Sequence, residues 1–163
     1  MYLHWDGYKA AMKAHPAYYT MDRWEYYQVA REWASGERVL ECGPHYQPLC
    51  LDALYLDNVD HGHRPLLLHD LNKPIPLPGG FDLCLALQVV EHLEDPMRAI
   101  ADMLRVARVL IVSVPYCWPK TSDPGHEGID DKVIRLWTAP YDVTHSRILG
   151  KAPYQRAIMR IEA

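Results

Sequence analysis

Apolar positions recur along this chain in two rhythms. Between Arg38 and Trp118, short apolar runs alternate with polar loops: Val39 to Glu41, Ala53 to Asp57, Pro65 to His69, Phe81 to Leu87 and Val109 to Pro115. Runs of this length that are apolar at consecutive positions predict strands buried on both faces, as in a parallel sheet. Between the fourth and fifth runs the rhythm changes. Met97, Ile100, Ala101 and Leu104 share one helical face, with Asp95 placed as N-cap and Pro96 at the first helical position. Strand, helix and strand in that order predict a parallel α/β unit.

Outside this core the pattern is simpler. Met21 to Ala34 carries Trp24, Tyr27, Val29, Ala30 and Trp33 at mostly three- and four-residue spacings, with Glu25, Arg31 and Glu32 between them. That is an amphipathic helix, ended by Ser35-Gly36. Towards the other end, the polar stretch Lys120 to Gly128 precedes a short helix at about Asp130 to Trp137. Two strand-like segments, about Tyr141 to Leu149 and Gln155 to Glu162, are joined by Gly150-Lys151-Ala152-Pro153 and predict an antiparallel hairpin added to the sheet. The expected fold class is α/β: a Rossmann-like, mostly parallel sheet with a C-terminal antiparallel hairpin and shortened helices between the first strands.

The connections explain the shortened helices. About ten residues separate the first two strands, and only Asn58 to Arg64 separate the second from the third, where parallel crossovers need roughly 10 to 12. Helices there are one or two turns long, or absent. One side of the sheet is then thinly covered, and either a folded-back N-terminal helix or a second subunit in a homodimer is expected to shield it.

Composition narrows the class of protein. At 163 residues the chain suits one domain with a real core. With 49% hydrophobic and 23% charged residues and a formal net charge of -4, it reads as globular rather than disordered. Lys and Arg are scattered rather than gathered into a stripe, which argues against DNA as a partner and weakens the case for an RNA or nucleotide acceptor. Cys42, Cys50, Cys84 and Cys117 have no C-x-x-C spacing, and three lie in or beside apolar runs, so they read as buried reduced thiols of a cytosolic protein. The first residues lack a signal-peptide apolar core, and no apolar run approaches the roughly 18 residues of a membrane span. A soluble, cytoplasmic protein with no membrane partner is expected.

In an open parallel sheet, ligands bind beyond the carboxyl ends of the strands, near the point where strand order reverses. After the first strand stands Glu41-Cys42-Gly43-Pro44-His45, and Asp57 ends the second. His69-Asp70-Leu71-Asn72 follows the third, and Gln88-Val89-Val90-Glu91-His92 the fourth. A carboxylate ending a second strand commonly accepts hydrogen bonds from two vicinal ribose hydroxyls. Each of these residues taken singly is an ordinary turn residue; their order and spacing carry the signal.

Together, V-L-E-C-G-P, L-Y-L-D, H-D-L-N-K-P-I-P-L-P and F-D-L-C-L-A-L-Q-V-V-E-H-L-E-D-P resemble the class I S-adenosylmethionine-dependent methyltransferases over about Arg38 to Pro119. The resemblance implies S-adenosylmethionine as cofactor and methyl transfer as the activity; with little insertion beyond the core, an O or N atom of a small or medium-sized acceptor is the expected target. It implies that Glu41 and Gly43, with Cys42 between them, meet the methionine moiety, that Asp57 holds the ribose, and that Asp70 with the Leu71 backbone meets the adenine. Gln88 and Val89 would line the cofactor near its reactive methyl. The first motif departs from the family in lacking its second and third glycines.

In this frame the chain is one domain, 1–163. Residues 1–36 form a helical or lid segment, 37–119 the cofactor-binding core, and 120–163 the acceptor-side loop, helix and hairpin. Candidate catalytic residues follow the fourth and fifth strands: His92, Tyr116 and His126. His126 reads either as a base or as a solvated loop histidine, His92 as structural or catalytic, and Tyr116 as shaping the pocket or simply packing. Tyr18, Tyr19 and Trp24 read either as an aromatic lid over a sulfonium or as helix packing. His61-Gly62-His63 has no accompanying ligand set, so no metal is expected. Two other readings stay open: a non-catalytic S-adenosylmethionine-binding scaffold with a degenerate first motif, and a nucleotide- or nicotinamide-binding Rossmann domain. The missing G-x-G-x-x-G counts against the latter.

Overall fold

A seven-stranded sheet organises the chain in the computed structural model, which describes residues 1–119 and 124–163. Its strands are β1 (Val39–Cys42), β2 (Leu54–Asp57), β3 (Leu66–Leu68), β4 (Phe81–Leu87), β5 (Ala107–Tyr116), β6 (Asp142–Leu149) and β7 (Gln155–Glu162). They lie in the order β3-β2-β1-β4-β5-β7-β6. The first five run parallel, β7 pairs antiparallel with β5, and β6 pairs antiparallel with β7. The chain thus moves outward from β1 to β3, returns to β4 on the other side of β1, and leaves a reversal of strand order between β1 and β4.

Burial of the central strands on both faces follows from their consecutive apolar residues. Leu40, Cys42, Cys84, Ala86, Leu110 and Val112 enter one core with Ile100, Met103 and Leu104 of α3 (Pro96–Val106). Their neighbours Val39, Leu83, Leu85, Val109 and Ile111 enter a second core on the opposite face. The Asp95 side chain accepts from the Arg98 amide at 3.0 Å and Pro96 opens the helix, as the sequence pattern predicts. The short α4 (Asp131–Thr138) lies on the α3 side, with Val133, Ile134 and Trp137 packed on that core. No helix among the described residues is long and apolar enough to cross a membrane.

The second face is covered by the N-terminal segment folded back on the sheet. It forms two helices, α1 (Trp5–Ala14) and α2 (Met21–Trp33). Of the two, the residue spacing predicts only α2. α1 buries just Tyr8 and Ala11, too narrow a stripe to announce itself, and it contains Gly7, a residue that costs a helix interior about 1 kcal/mol relative to Ala. Packing rather than local propensity holds it. The Tyr8 ring lies 4.8 Å from Trp24, 5.7 Å from Tyr19 and 5.7 Å from Tyr27, and its hydroxyl donates to the Thr20 carbonyl at 2.7 Å.

Neither the connection from β1 to β2 nor that from β2 to β3 contains a helix, the extreme form of the expected shortening. The β1–β2 loop is held instead by Glu41. This side chain points to the α1–α2 face, is 3% exposed, and accepts backbone N–H groups from Leu49 at 2.7 Å and Cys50 at 2.8 Å, one on each carboxylate oxygen. The N-terminus then zips onto the same loop: Leu3 N–H donates to the Leu49 carbonyl and Leu51 N–H to the Met1 carbonyl, each at 2.8 Å. Tyr55 and Tyr27 add hydroxyl bonds to the carbonyls of Cys50 and Gln47.

Burial pushes the Glu41 carboxyl up to about 7, against the pull of its two amide donors. The folded protein therefore holds this proton more tightly than the unfolded chain does. Its contribution is most favourable below the ordinary glutamate range and is lost as pH rises from about 4.5 to about 7. Between pH 5 and pH 7.5 this group by itself lowers stability by about 2 kcal/mol, while the depressed His45 pKa acts in the opposite sense over the same range. In denaturant unfolding at the two pH values, the difference between wild type and Glu41→Gln is expected to shrink by about that amount as pH rises. On the helical cover, Tyr8→Phe is expected to cost about 1 kcal/mol for the lost hydrogen bond, whereas Tyr8→Ala costs about 3 to 5 kcal/mol by emptying the aromatic cluster, both read from urea midpoints.

Candidate functional site

A cavity of about 400 Å³ opens at the carboxyl ends of the parallel strands, beside the reversal of strand order. Each of the first four strands delivers part of its wall. Gly43 and His45 follow β1, Asp57 ends β2 with Asn58 after it, His69 to Asn72 follow β3, and Gln88, Val89, His92 and Leu93 follow β4. Tyr18, from the connection between α1 and α2, completes the wall.

The backbone is bent sharply along this edge. Three non-glycine residues among those described have positive φ: His45 at 52°, Gln88 at 61° and Cys117 at 51°. They stand just beyond β1, β4 and β5. Such conformations cost free energy and cluster at functional sites. Gln88 is fixed there by its N–H to the Ser113 carbonyl at 2.9 Å and its side-chain amide to the Ser113 hydroxyl at 3.3 Å. Gly43 has φ of +61°, and a Cβ on it would stand 2.7 Å from a methyl of Val89. Only glycine lets the loops after β1 and β4 meet at the cavity floor.

Polar groups are distributed around the same space. Asp57 accepts the Val59 amide at 3.1 Å on one oxygen and the His45 amide at 3.4 Å on the other, so each oxygen keeps acceptor capacity. Asp70 accepts the Asn72 amide at 2.9 Å, and the Leu71 carbonyl accepts from Arg98 at 2.6 Å. The His45 ring stacks on Tyr18 with centroids 4.2 Å apart. Burial, then the neighbouring His61, lowers the His45 pKa to about 4, so this wall carries a neutral imidazole at neutral pH.

Of the residues singled out in the sequence, Gly43, Asp57, Asp70, Leu71, Gln88, Val89 and His92 come together on this cavity. Glu41 and Cys42 do not. Glu41 faces α1 and α2 with both oxygens committed to the loop amides, and Cys42 is buried on the opposite face with its sulfur 3.7 Å from that of Cys84. Strand alternation sends these two neighbours into the two cores instead of to the sheet's edge. Tyr116 is also elsewhere, lining a separate groove with Asp131, Ile134 and Met159. Tyr19 and Trp24 are buried in the N-terminal packing, which leaves Tyr18 as the one of the three aromatic candidates on the cavity.

His126 stands on a one-turn helix, Pro124–His126, whose ring lies 5.1 Å from that of His92 and 5.0 Å from Trp118. Residues 120–123 of the predicted polar loop lie outside the described residues. Glu91, His92 and His126 bring one potential ligand atom each to within 4.8 Å of one another. The sequence pattern predicts no metal site, since its close pair His61 and His63 has no accompanying ligand set, whereas His126 reaches His92 from a different loop. Asn58 and Leu93 also line the wall, although the sequence pattern does not single them out. Their only signal is that each follows closely on a strand end.

No protein-family model matches the sequence, and no curated protein matches it significantly. Solved structures do resemble the fold. The 4+2 cyclase SpnF aligns with a TM-score of 0.67 at 14% identity, over 85% of this chain and 79% of that one. Magnesium protoporphyrin IX methyltransferase (ChlM) from Synechocystis PCC 6803, with bound SAM, aligns with a TM-score of 0.63 at 16% identity, over 88% and 79%. A SAM-dependent methyltransferase from Aquifex aeolicus gives 0.63 at 18% identity, over 83% and 88%. At such identities what is shared is architecture, and that architecture is the class I S-adenosylmethionine-dependent methyltransferase fold.

Proposed function

We propose that the chain is an S-adenosylmethionine-dependent methyltransferase acting on an O or N atom of a small or medium-sized acceptor. One observation carries the reading: Asp57 and Asp70, at the ends of successive strands, face the same cavity as the glycine after β1. The volume of about 400 Å³ falls within the range of small-molecule sites, roughly 300 to 1,000 Å³. Similar folds hold the same ligand or its product, as in ChlM with SAM or SAH and the N-terminal domain of EvdMO1 with SAH.

The residues divide the work by their chemistry. Asp57 offers two carboxylate oxygens with acceptor capacity to a pair of ribose hydroxyls. Asp70 and Leu71 meet the adenine, and Gln88 and Val89 meet the methionine arm. The loop after β1 has a single glycine followed by Pro44, which has no N–H. A dinucleotide pyrophosphate needs several such donors, so the loop favours a ligand without phosphate. When bound, the cofactor supplies an electrophilic methyl on a sulfonium. The protein's task is then to hold the acceptor in line beside Gln88 and His92, where positioning does much of the catalysis.

Calorimetric titration with S-adenosylmethionine and S-adenosylhomocysteine, with NAD and ATP as controls, tests this. Both adenosyl ligands are expected to bind and the controls to fail. Asp57→Ala is expected to weaken binding by about 1 to 3 kcal/mol while the fold, read by circular dichroism, is kept. Selective binding of NAD or ATP would overturn the reading.

A further inference from the structure

We propose that Glu91, His92 and His126 form a binding site for a divalent first-row transition metal at the acceptor end of the cavity, where the ion would hold an acceptor hydroxyl. The site rests on geometry the sequence does not display. Glu91 and His92 sit in a one-turn helix, Val90–His92, directly after β4, and His126 comes from the turn that follows β5. Their ligand atoms lie within 4.8 Å of one another, and His92 Nε2 is 3.9 Å from Glu91 Oε1. Ligands at about 2.1 Å around a tetrahedral zinc stand about 3.4 Å apart, a contraction that small rotations of the two imidazoles supply.

The donors are held in advance. The first turn is closed by the His92 and Leu93 amides on the carbonyls of Val89 and Val90, and the Glu91 side chain is fully buried. His126 is braced edge-on by Trp118, whose indole N–H donates to the Gln155 carbonyl. Two backbone links pin the loop on either side, a bridge from Trp118 to Glu127 and the Cys117 amide on the Ile129 carbonyl at 2.9 Å.

Two imidazoles and one carboxylate suit Fe(II), Co(II), Zn(II) or Mn(II), and a site with three protein ligands keeps coordination positions open for a substrate. Because His92 also lines the cavity, those positions border the space where the acceptor enters. A metal-bound hydroxyl loses its proton more readily. The proton passes to water, the oxygen forms a bond to the methyl carbon, and the sulfur–methyl bond breaks with its electron pair left on sulfur. This role rests on the methyltransferase reading; the metal site itself does not.

The test is titration of chelator-treated, full-length protein with Co²⁺, followed by visible absorption and calorimetry. One ion per chain is expected, with His92→Ala and His126→Ala each weakening it by about tenfold or more and His61→Ala leaving it unchanged. The absence of saturable Co²⁺ binding in the wild type overturns the site. So does binding that survives both His92→Ala and His126→Ala, or that is lost in His61→Ala alone. Parallel titration with S-adenosylhomocysteine separates the two claims: affinity for it without Co²⁺ binding removes only the metal, and Co²⁺ binding without that affinity removes only the cofactor reading.

Discussion

The rest of the molecule depends on one buried carboxylate. A parallel sheet needs a connection from β1 to β2 that satisfies its own backbone, and in this chain no helix does so. Glu41 provides the substitute by taking the Leu49 and Cys50 amides onto its two oxygens. That fixes the loop against the underside of the sheet and gives the N-terminal residues an edge to pair with. Once Met1 to Leu3 are anchored, α1 and α2 have a defined path across the exposed face. Burying a carboxyl group is costly, which is why this one holds its proton up to about 7, and the cost is offset by organising three segments at once.

The same arrangement reaches the cavity. Tyr18, on the wall, belongs to the connection between the two covering helices, and it stacks on His45, which belongs to the loop that Glu41 holds. The N-terminal cover and the ligand site are therefore one mechanical unit on the β1 side. On the β4 side, the strained Gln88 and the contact of Val89 with Gly43 set the floor. The polar rim lies at the far ends of these turns, where backbone strain is maintained by the rigid strands behind it.

A similar fold is found in the 4+2 cyclase SpnF, and a fold by itself does not fix the chemistry it carries. In this chain the region beyond the strand ends holds Asp57 and Asp70 on the cavity wall, together with His92, whose ring lies close to Glu91 and His126. The first set offers acceptors to hydroxyl-bearing ligands, and the second offers ligand atoms to an ion.

The sequence by itself determined the strands, the capped α3 and the terminal hairpin, because consecutive apolar residues, the Asp95-Pro96 pair and Gly150 act locally. It also marked Asp57, Asp70 and Gln88, since a residue ending a parallel strand stands at the sheet's edge whatever surrounds it. Only tertiary structure decided the destination of Glu41 and Cys42, whose side chains enter opposite cores, and of Tyr116, which turns to a separate groove. α1 likewise exists through its contacts with Trp24 and Tyr27 rather than its own pattern. The meeting of His92 with His126 joins residues from two loops, and no spacing along a chain encodes a distance across it. Local periodicity reports which face is apolar; which polar groups share a space depends on where the turns close.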